Sequence, residues 1–115
     1  MIPGELSRSE ADRVFRALGD GTRRDILART LVEGQSVTEL ARHYDMGFAA
    51  VQKHVAVLKR AGLIVKCARG RERLVRADPE MIRRASRLLR TFHGQREEYS
   101  KPHRGPCCGP MTPGD

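Results

Sequence analysis

Apolar residues return at helical spacing almost from the start of the chain. In "SEADRVFRAL", residues 9–18, Ala11, Val14, Phe15 and Leu18 stand at i, i+3, i+4 and i+7, with Ser9 placed to cap the helix and Gly19 to end it. "DGTRRDILARTLVEG" repeats the pattern: Asp20 is the N-cap, Ile26, Leu27, Thr30 and Leu31 share a face, and Gly34 is the stop. "SVTELARHYDMG" then offers a capping box, Ser36 with Glu39, or Thr38 as an alternative cap, ahead of a short helix carrying Leu40, Ala41 and Tyr44. A brief turn, Asp45-Met46-Gly47, leads into "AAVQKHVAVLKRAGL", where Val51, Val55 and Leu58 mark one face. Two helices joined by so short a glycine-containing turn predict a helix-turn-helix whose second helix is the reader.

Past Gly62 the period changes from helical to alternating. Leu63, Val65 and Cys67, the run "ARGR", and Glu72 to Ala77 with Leu74 and Val75 predict a β-hairpin with an arginine-rich tip. Asp78-Pro79 supplies an N-cap and an N1 proline for a last helix, along which Met81, Ile82, Ala85, Leu88, Leu89 and Phe92 form a continuous stripe that Tyr99 extends. The order of elements, four helices, a hairpin and a fifth helix, is that of a mainly α winged helix-turn-helix domain over residues 9–99. Residues 100–115, "SKPHRGPCCGPMTPGD", are dense in Pro and Gly with little to bury, and are expected to be a disordered tail. No internal repeat is present.

Four blocks, "LGDGTRRDIL", "SVTELA", "AAVQKHVAVLKRAGLI" and "ARGRERLV", resemble in this order the ArsR-type (ArsR/SmtB-like) winged helix-turn-helix transcriptional repressors. The resemblance runs from about Asp12 to Tyr99, and it is the ordered set that is specific. It implies a two-fold interface built from the N- and C-terminal helices, with Val14, Phe15, Leu18, Leu88, Leu89 and Phe92 as candidates here. The last stripe is also longer than a small core requires, which independently asks for a partner. "TRR" runs such as Arg23 and Arg24 are a family feature, with a structural role expected.

Bulk numbers narrow the partner. The chain of 115 residues suits one domain, and with 4% aromatic residues and no Trp its core must be aliphatic. Lys and Arg number 22 against 14 Asp and Glu, a formal charge of +8 that favours a polyanion, nucleic acid before an anionic membrane surface. The N-terminal "MIPGELSRSEADR" has no apolar signal segment and no window could span a bilayer, so a cytoplasmic protein with no membrane partner is expected.

On the reader helix, Val51, Val55 and Leu58 turn inward, leaving Ala49, Gln52, Lys53, Ala56, Lys59 and Arg60 on the opposite arc. Small Ala49 and Ala56 keep that arc slim enough for a major groove, where Gln can pair with adenine and Lys with guanine or a phosphate. Gln52 and Lys53 are the expected base readers; Lys59 and Arg60 suit phosphate or solvent. His54 falls inside the apolar arc, which suggests packing, whereas the resemblance implies that it touches DNA, and both readings stay open. Arg69, Gly70, Arg71 and Arg73 would form a wing gripping phosphates or a narrow minor groove, unless they are simply a solvated turn. Arg42 and His43 could add phosphate contacts or be ordinary exposed charge.

Many ArsR-type relatives bind metals through cysteines on the helix before the reader, but "VTELARHYDMG" has none. Others use imidazole and carboxylate ligands on the last helix, where His93 and Glu97 stand at i, i+4 spacing with Glu98 beside them. Cys107 and Cys108 in the tail are soft ligands for thiophilic ions, or oxidisable bystanders. No cofactor or metal is assigned, and the effector is left open. Three cysteines make no disulfide framework, and without C-x-x-C spacing Cys107 and Cys108 give no redox enzyme. The expectation is a homodimeric, sequence-specific regulator of double-stranded DNA, a repressor on an imperfect palindrome, with reader helices about 34 Å apart. The alternatives are a metal- or thiol-sensing repressor using Cys107 and Cys108 or His93 and Glu97, and a non-specific nucleic-acid-binding protein.

Overall fold

Seven elements follow in the order α1 (Arg8–Leu18), α2 (Gly21–Val32), α3 (Val37–Ala41), α4 (Phe48–Arg60), β1 (Ile64–Arg69), β2 (Glu72–Ala77) and α5 (Pro79–Ser100). The computed structural model describes residues 5–100. Side-chain caps set the helix starts. Ser7, not Ser9, caps α1: its hydroxyl accepts from the Glu10 amide at 3.1 Å while the Glu10 carboxylate accepts from the Ser7 amide at 2.8 Å. A glutamate at N3 decides between the two serines, because only Ser7 can form the reciprocal pair. The same logic selects Ser36 over Thr38, with Glu39 answering at the same two distances, 3.1 and 2.8 Å. Asp20 caps α2 through the Arg23 amide at 3.1 Å, and the Asp78 carboxylate accepts from the Glu80 amide at 3.0 Å at the start of α5.

Helix α4 ends in a Schellman arrangement. The Leu63 amide donates to Leu58 O at 3.0 Å and the Gly62 amide to Lys59 O at 2.9 Å, with Gly62 at φ 79°. Leu63 is thus part of the helix stop, packed in the core with Leu58, and the strand alternation begins one residue later. The expected face of Leu63, Val65 and Cys67 is therefore corrected: Ile64 is buried, Val65 is 43% exposed and Cys67 half-buried. Ile64 and Lys66 pair with Ala77 and Val75 on the hairpin face that carries the buried Ile64, Val75 and Ala77. Register runs to Arg69 opposite Glu72, leaving Gly70 and Arg71 as a two-residue turn with Gly70 at φ 62°.

One pairing has no counterpart in the alternation of the sequence. Gln35 and Val75 exchange backbone hydrogen bonds of 3.1 and 2.7 Å, so the link between α2 and α3 lies along β2. Gly34 permits the approach, since a Cβ there would lie 2.9 Å from Cγ of Arg76.

Val14, Ile26, Leu40, Val51, Val55, Leu58, Leu63, Ile64 and Val75 are fully enclosed and join all the elements before α5 into one aliphatic core. Thr30, the buried polar residue among those described, donates its hydroxyl to Ile26 O at 2.9 Å. Helix α5 adds Ala85 with Met81 and Ile82 beside it, then runs on with Leu88 half-buried and Leu89 and Phe92 exposed. Near the helix-turn-helix, the Tyr44 hydroxyl donates to Asp25 Oδ2 at 2.6 Å and Arg29 Nε donates to the same oxygen at 2.7 Å. Burial and this bond push the Tyr44 phenol up to about 12, while the Tyr44 and Arg29 hydrogen bonds lower Asp25. The turn between α3 and α4 is thereby tied to α2. No helix among the described residues is long and apolar enough to cross a membrane.

Candidate nucleic-acid interface

The buried trio Val51, Val55 and Leu58 fixes the rotation of α4, and everything else about the site follows from that rotation. Ala49, Gln52, Lys53, Ala56, Lys59 and Arg60 are all exposed on the opposite arc. Helix α3 packs against α4, forming with it and the intervening turn a helix-turn-helix.

Beside this arc lies a cleft of about 490 Å³ where Thr38 and Arg42 from the α3 region, Gln52 of α4, and Lys66 and Arg73 of the hairpin come together. Three sequence candidates, Arg42, Gln52 and Arg73, are thus brought to one place. Lys66, which the sequence did not single out, and Thr38, which it offered only as an alternative cap, join them. The signal for Lys66 was its place one residue from Val65, which a hairpin register beginning at Ile64 turns to the protein side. Two carboxylates also border the cleft, Glu39 and Glu72. Glu39 is held below its ordinary value chiefly by the Ser36 amide it accepts from, and further by the charges of Arg69 and Arg42.

Arg69 opens instead onto a neighbouring hollow with Gln35, Arg42 and His43. It pairs with Glu72 at 3.2 Å, both side chains more than half exposed, so the pair contributes little to stability. Arg71, at the turn, and Arg73 are exposed and form no ion pair among the described residues.

His54 is half-buried, with Nδ1 3.2 Å from Arg23 Nη1. A guanidinium only donates, so Nδ1 must accept and the imidazole carries its proton on Nε2. Arg23 also donates from Nε to Ala17 O at 2.8 Å and from Nη2 to Arg16 O at 3.2 Å. Arg24 donates to Leu18 O at 2.7 Å. The "TRR" run therefore satisfies carbonyls at the C-terminal end of α1, and Arg23 links that end to the reader helix. Asp20 completes the cluster; its carboxyl is lowered mainly by the Arg23 amide, with the Arg23 charge contributing.

Of the candidate interface residues, Val14 is fully enclosed in the chain's own core, so it has no surface to offer. Phe15, Leu18 and Leu88 are half-buried, and Leu89 and Phe92 are 54% and 57% exposed. The side chains of His93 and Glu97 lie outside the described residues, as do Cys107 and Cys108. Among the described residues there is no cluster of three or more His, Cys, Asp or Glu able to hold a metal ion.

Comparison with known proteins agrees with this geometry. A family described as a helix-turn-helix domain matches residues 18–67. The chain is 41% identical over 68 residues, 59% of its length, to the HTH-type transcriptional regulator Rv2034 of Mycobacterium tuberculosis, and the match spans 64% of that regulator. Among solved structures, an ArsR-like transcriptional regulator from Rhodococcus sp. RHA1 superposes with a TM-score of 0.71 at 30% identity, over 78% of this chain and 85% of that one. A Mycobacterium bovis domain, Mb0332, described as a homodimeric winged helix-turn-helix DNA-binding domain, matches with a TM-score of 0.60 at 21% identity, over 90% of this chain and 98% of that one, a likeness of fold.

Proposed function

The chain belongs to the ArsR family of helix-turn-helix transcriptional regulators, and from that premise we propose that it is a homodimeric repressor that reads an imperfect DNA palindrome through α4. The observation that carries this reading is the exposed, slim arc of α4 beside a cationic cleft shared with the wing. Gln52 and Lys53 meet base edges, with Ala49 and Ala56 giving the helix room in the groove. Arg42, Lys66 and Arg73 hold the phosphate chain along one side, and Lys59, Arg69 and Arg71 extend the contact. His54, with Nδ1 occupied by Arg23, has Nε2–H left as its donor toward DNA.

Such a protein acts by occupying a promoter beside the chromosome, in the cytoplasm. The folding and DNA-binding unit corresponds to residues 9–99 together with the Ser7 cap and Arg8 that open α1, and no enzyme activity enters the mechanism. Two-fold symmetry would set two copies of α4 about 34 Å apart, one turn of DNA. The dimer face is read from Phe15, Leu18, Leu88, Leu89 and Phe92, and a homodimeric neighbour of the same fold supports it.

Selection of bound duplexes from a random pool, followed by titration of the selected site, tests the proposal. Gln52→Ala should lose about 1–3 kcal/mol of discrimination at particular base pairs, whereas Arg71→Ala should weaken all duplexes alike and flatten the salt dependence by about 1. If the pool yields no preferred site, the protein is a non-specific binder. If neither substitution alters binding, the surface is wrongly assigned.

A further inference from the structure

A helix lying in a major groove has a phosphate chain on both sides of it, and the cleft with the wing accounts for only one. Around α4, Gln52 faces the wing side; on the other side Val57 and Ala61 face α1. There a small open cleft of about 150 Å³ is lined by Arg13 and Arg16 of α1 and by Arg60, Val57 and Ala61 at the end of α4. Small side chains at Val57 and Ala61 let α1 lie close, so that arginine stems can run over an apolar floor with their guanidinium groups in solvent.

We propose that Arg13, Arg16 and Arg60 form a second backbone clamp, which takes the phosphodiester chain on the side of α4 opposite the wing. The proposal rests on the DNA-reading role of α4 and adds to it a helix, α1, to which the sequence assigned only packing. All three arginines are exposed, and none takes part in an ion pair among the described residues. Glu10, whose carboxylate feels the Arg13 charge, is already committed to the Ser7 amide. Arg13 and Arg16 are one turn apart on α1, and Arg60 faces them from a second helix. That line of charge suits consecutive phosphates of a continuous chain better than one small anion, and the cleft is below the roughly 300 Å³ of ordinary ligand pockets.

The test is the full-length double variant Arg13→Gln/Arg16→Gln, which keeps helix-forming side chains, titrated with the selected duplex and with a scrambled one over a range of salt. Affinity should fall by the same factor for both duplexes, and the slope of log K against log salt should flatten by about 2, roughly 0.9 for each phosphate no longer neutralised. Thermal melting should be unchanged, and Arg13→Lys/Arg16→Lys should restore most of the binding. Arg83→Ala/Arg87→Ala on α5 removes the same two charges elsewhere and should leave the slope as it was. Unchanged affinity in the Gln variant, with Arg71→Ala still weakening binding, overturns the clamp and leaves the reading of α4 intact. An equal drop in the α5 variant also overturns it, because net charge alone would then explain the effect. Indifference of Arg71→Ala and Gln52→Ala as well would remove the DNA reading itself.

Discussion

Arg23 directs all three guanidinium nitrogens at acceptors: Ala17 O, Arg16 O and His54 Nδ1. The position of a side chain relative to an apolar stripe is legible in sequence, and it placed His54 inside the apolar arc of α4. Its partner was not legible, because a hydrogen bond across 31 residues leaves no periodic trace. That bond occupies one ring nitrogen of His54 inside the fold and leaves the other as the donor the proposed DNA contact would use. Arg23→Ala should cost about 1–3 kcal/mol, since the part-buried Ala17 carbonyl at the end of α1 loses its charged donor. His54→Ala should cost less and also weaken DNA binding. A double-mutant cycle followed by denaturant unfolding should give a coupling of about 0.5–1 kcal/mol. Additive losses would mean that the latch does not hold in solution, and would return His54 to the role of a free groove-facing side chain.

Between elements, the decisive signals are single residues at the ends. Helix spacing gave all five helices, and the arginine-rich run gave the hairpin tip at Gly70 and Arg71. Missed were the first cap, where Ser7 rather than Ser9 has glutamate three residues on, and the strand register, where Leu63 belongs to the stop of α4. The Gln35–Val75 pairing was missed for a different reason: one isolated bridge does not change the alternation of either segment. The two glycines bounding α4 show the difference between a required and a permitted glycine. Gly62 sits at φ 79°, where an added Cβ would also meet Met81 Cε at 2.9 Å. Gly47 has φ −71° and ψ 163°, close to the dihedrals of the capping Ser7 and Ser36, and nothing lies within 4 Å of a Cβ there. Gly62→Ala should therefore destabilise by about 1–3 kcal/mol through left-handed backbone strain. Gly47→Ser should stabilise by up to about 0.5 kcal/mol by giving α4 the side-chain cap it lacks. Melting curves of the two variants should shift in opposite directions; a neutral Gly62→Ala would contradict the Schellman geometry.

At the scale of the whole molecule, the stripe along α5 divides at Ala85. Met81, Ile82 and Ala85 are used by the chain's own core, and past them Leu89 and Phe92 stand exposed. The sequence showed the stripe but not the division, because a continuous apolar row looks the same whether it is covered by its own domain or by a second copy. Val14 illustrates the converse, an apolar position grouped with the interface in sequence and enclosed by the fold. If the exposed half is the dimer face, Leu89→Glu/Phe92→Glu should yield a monomer in sedimentation that still unfolds cooperatively, since neither side chain is part of the core. It should melt lower than the native protein and independently of protein concentration, having lost the stabilisation of association. The monomer keeps both the α4 arc and the wing, so it should still bind a half-site. What it gives up is the second attachment, roughly 10²–10⁴ in affinity on a palindrome. Inserting five base pairs between half-sites, half a turn, should impose a comparable loss on the native dimer by rotating one half-site to the opposite face of the duplex. Full affinity for the lengthened site would mean that each chain binds alone, and the exposed half of α5 would then need a different partner.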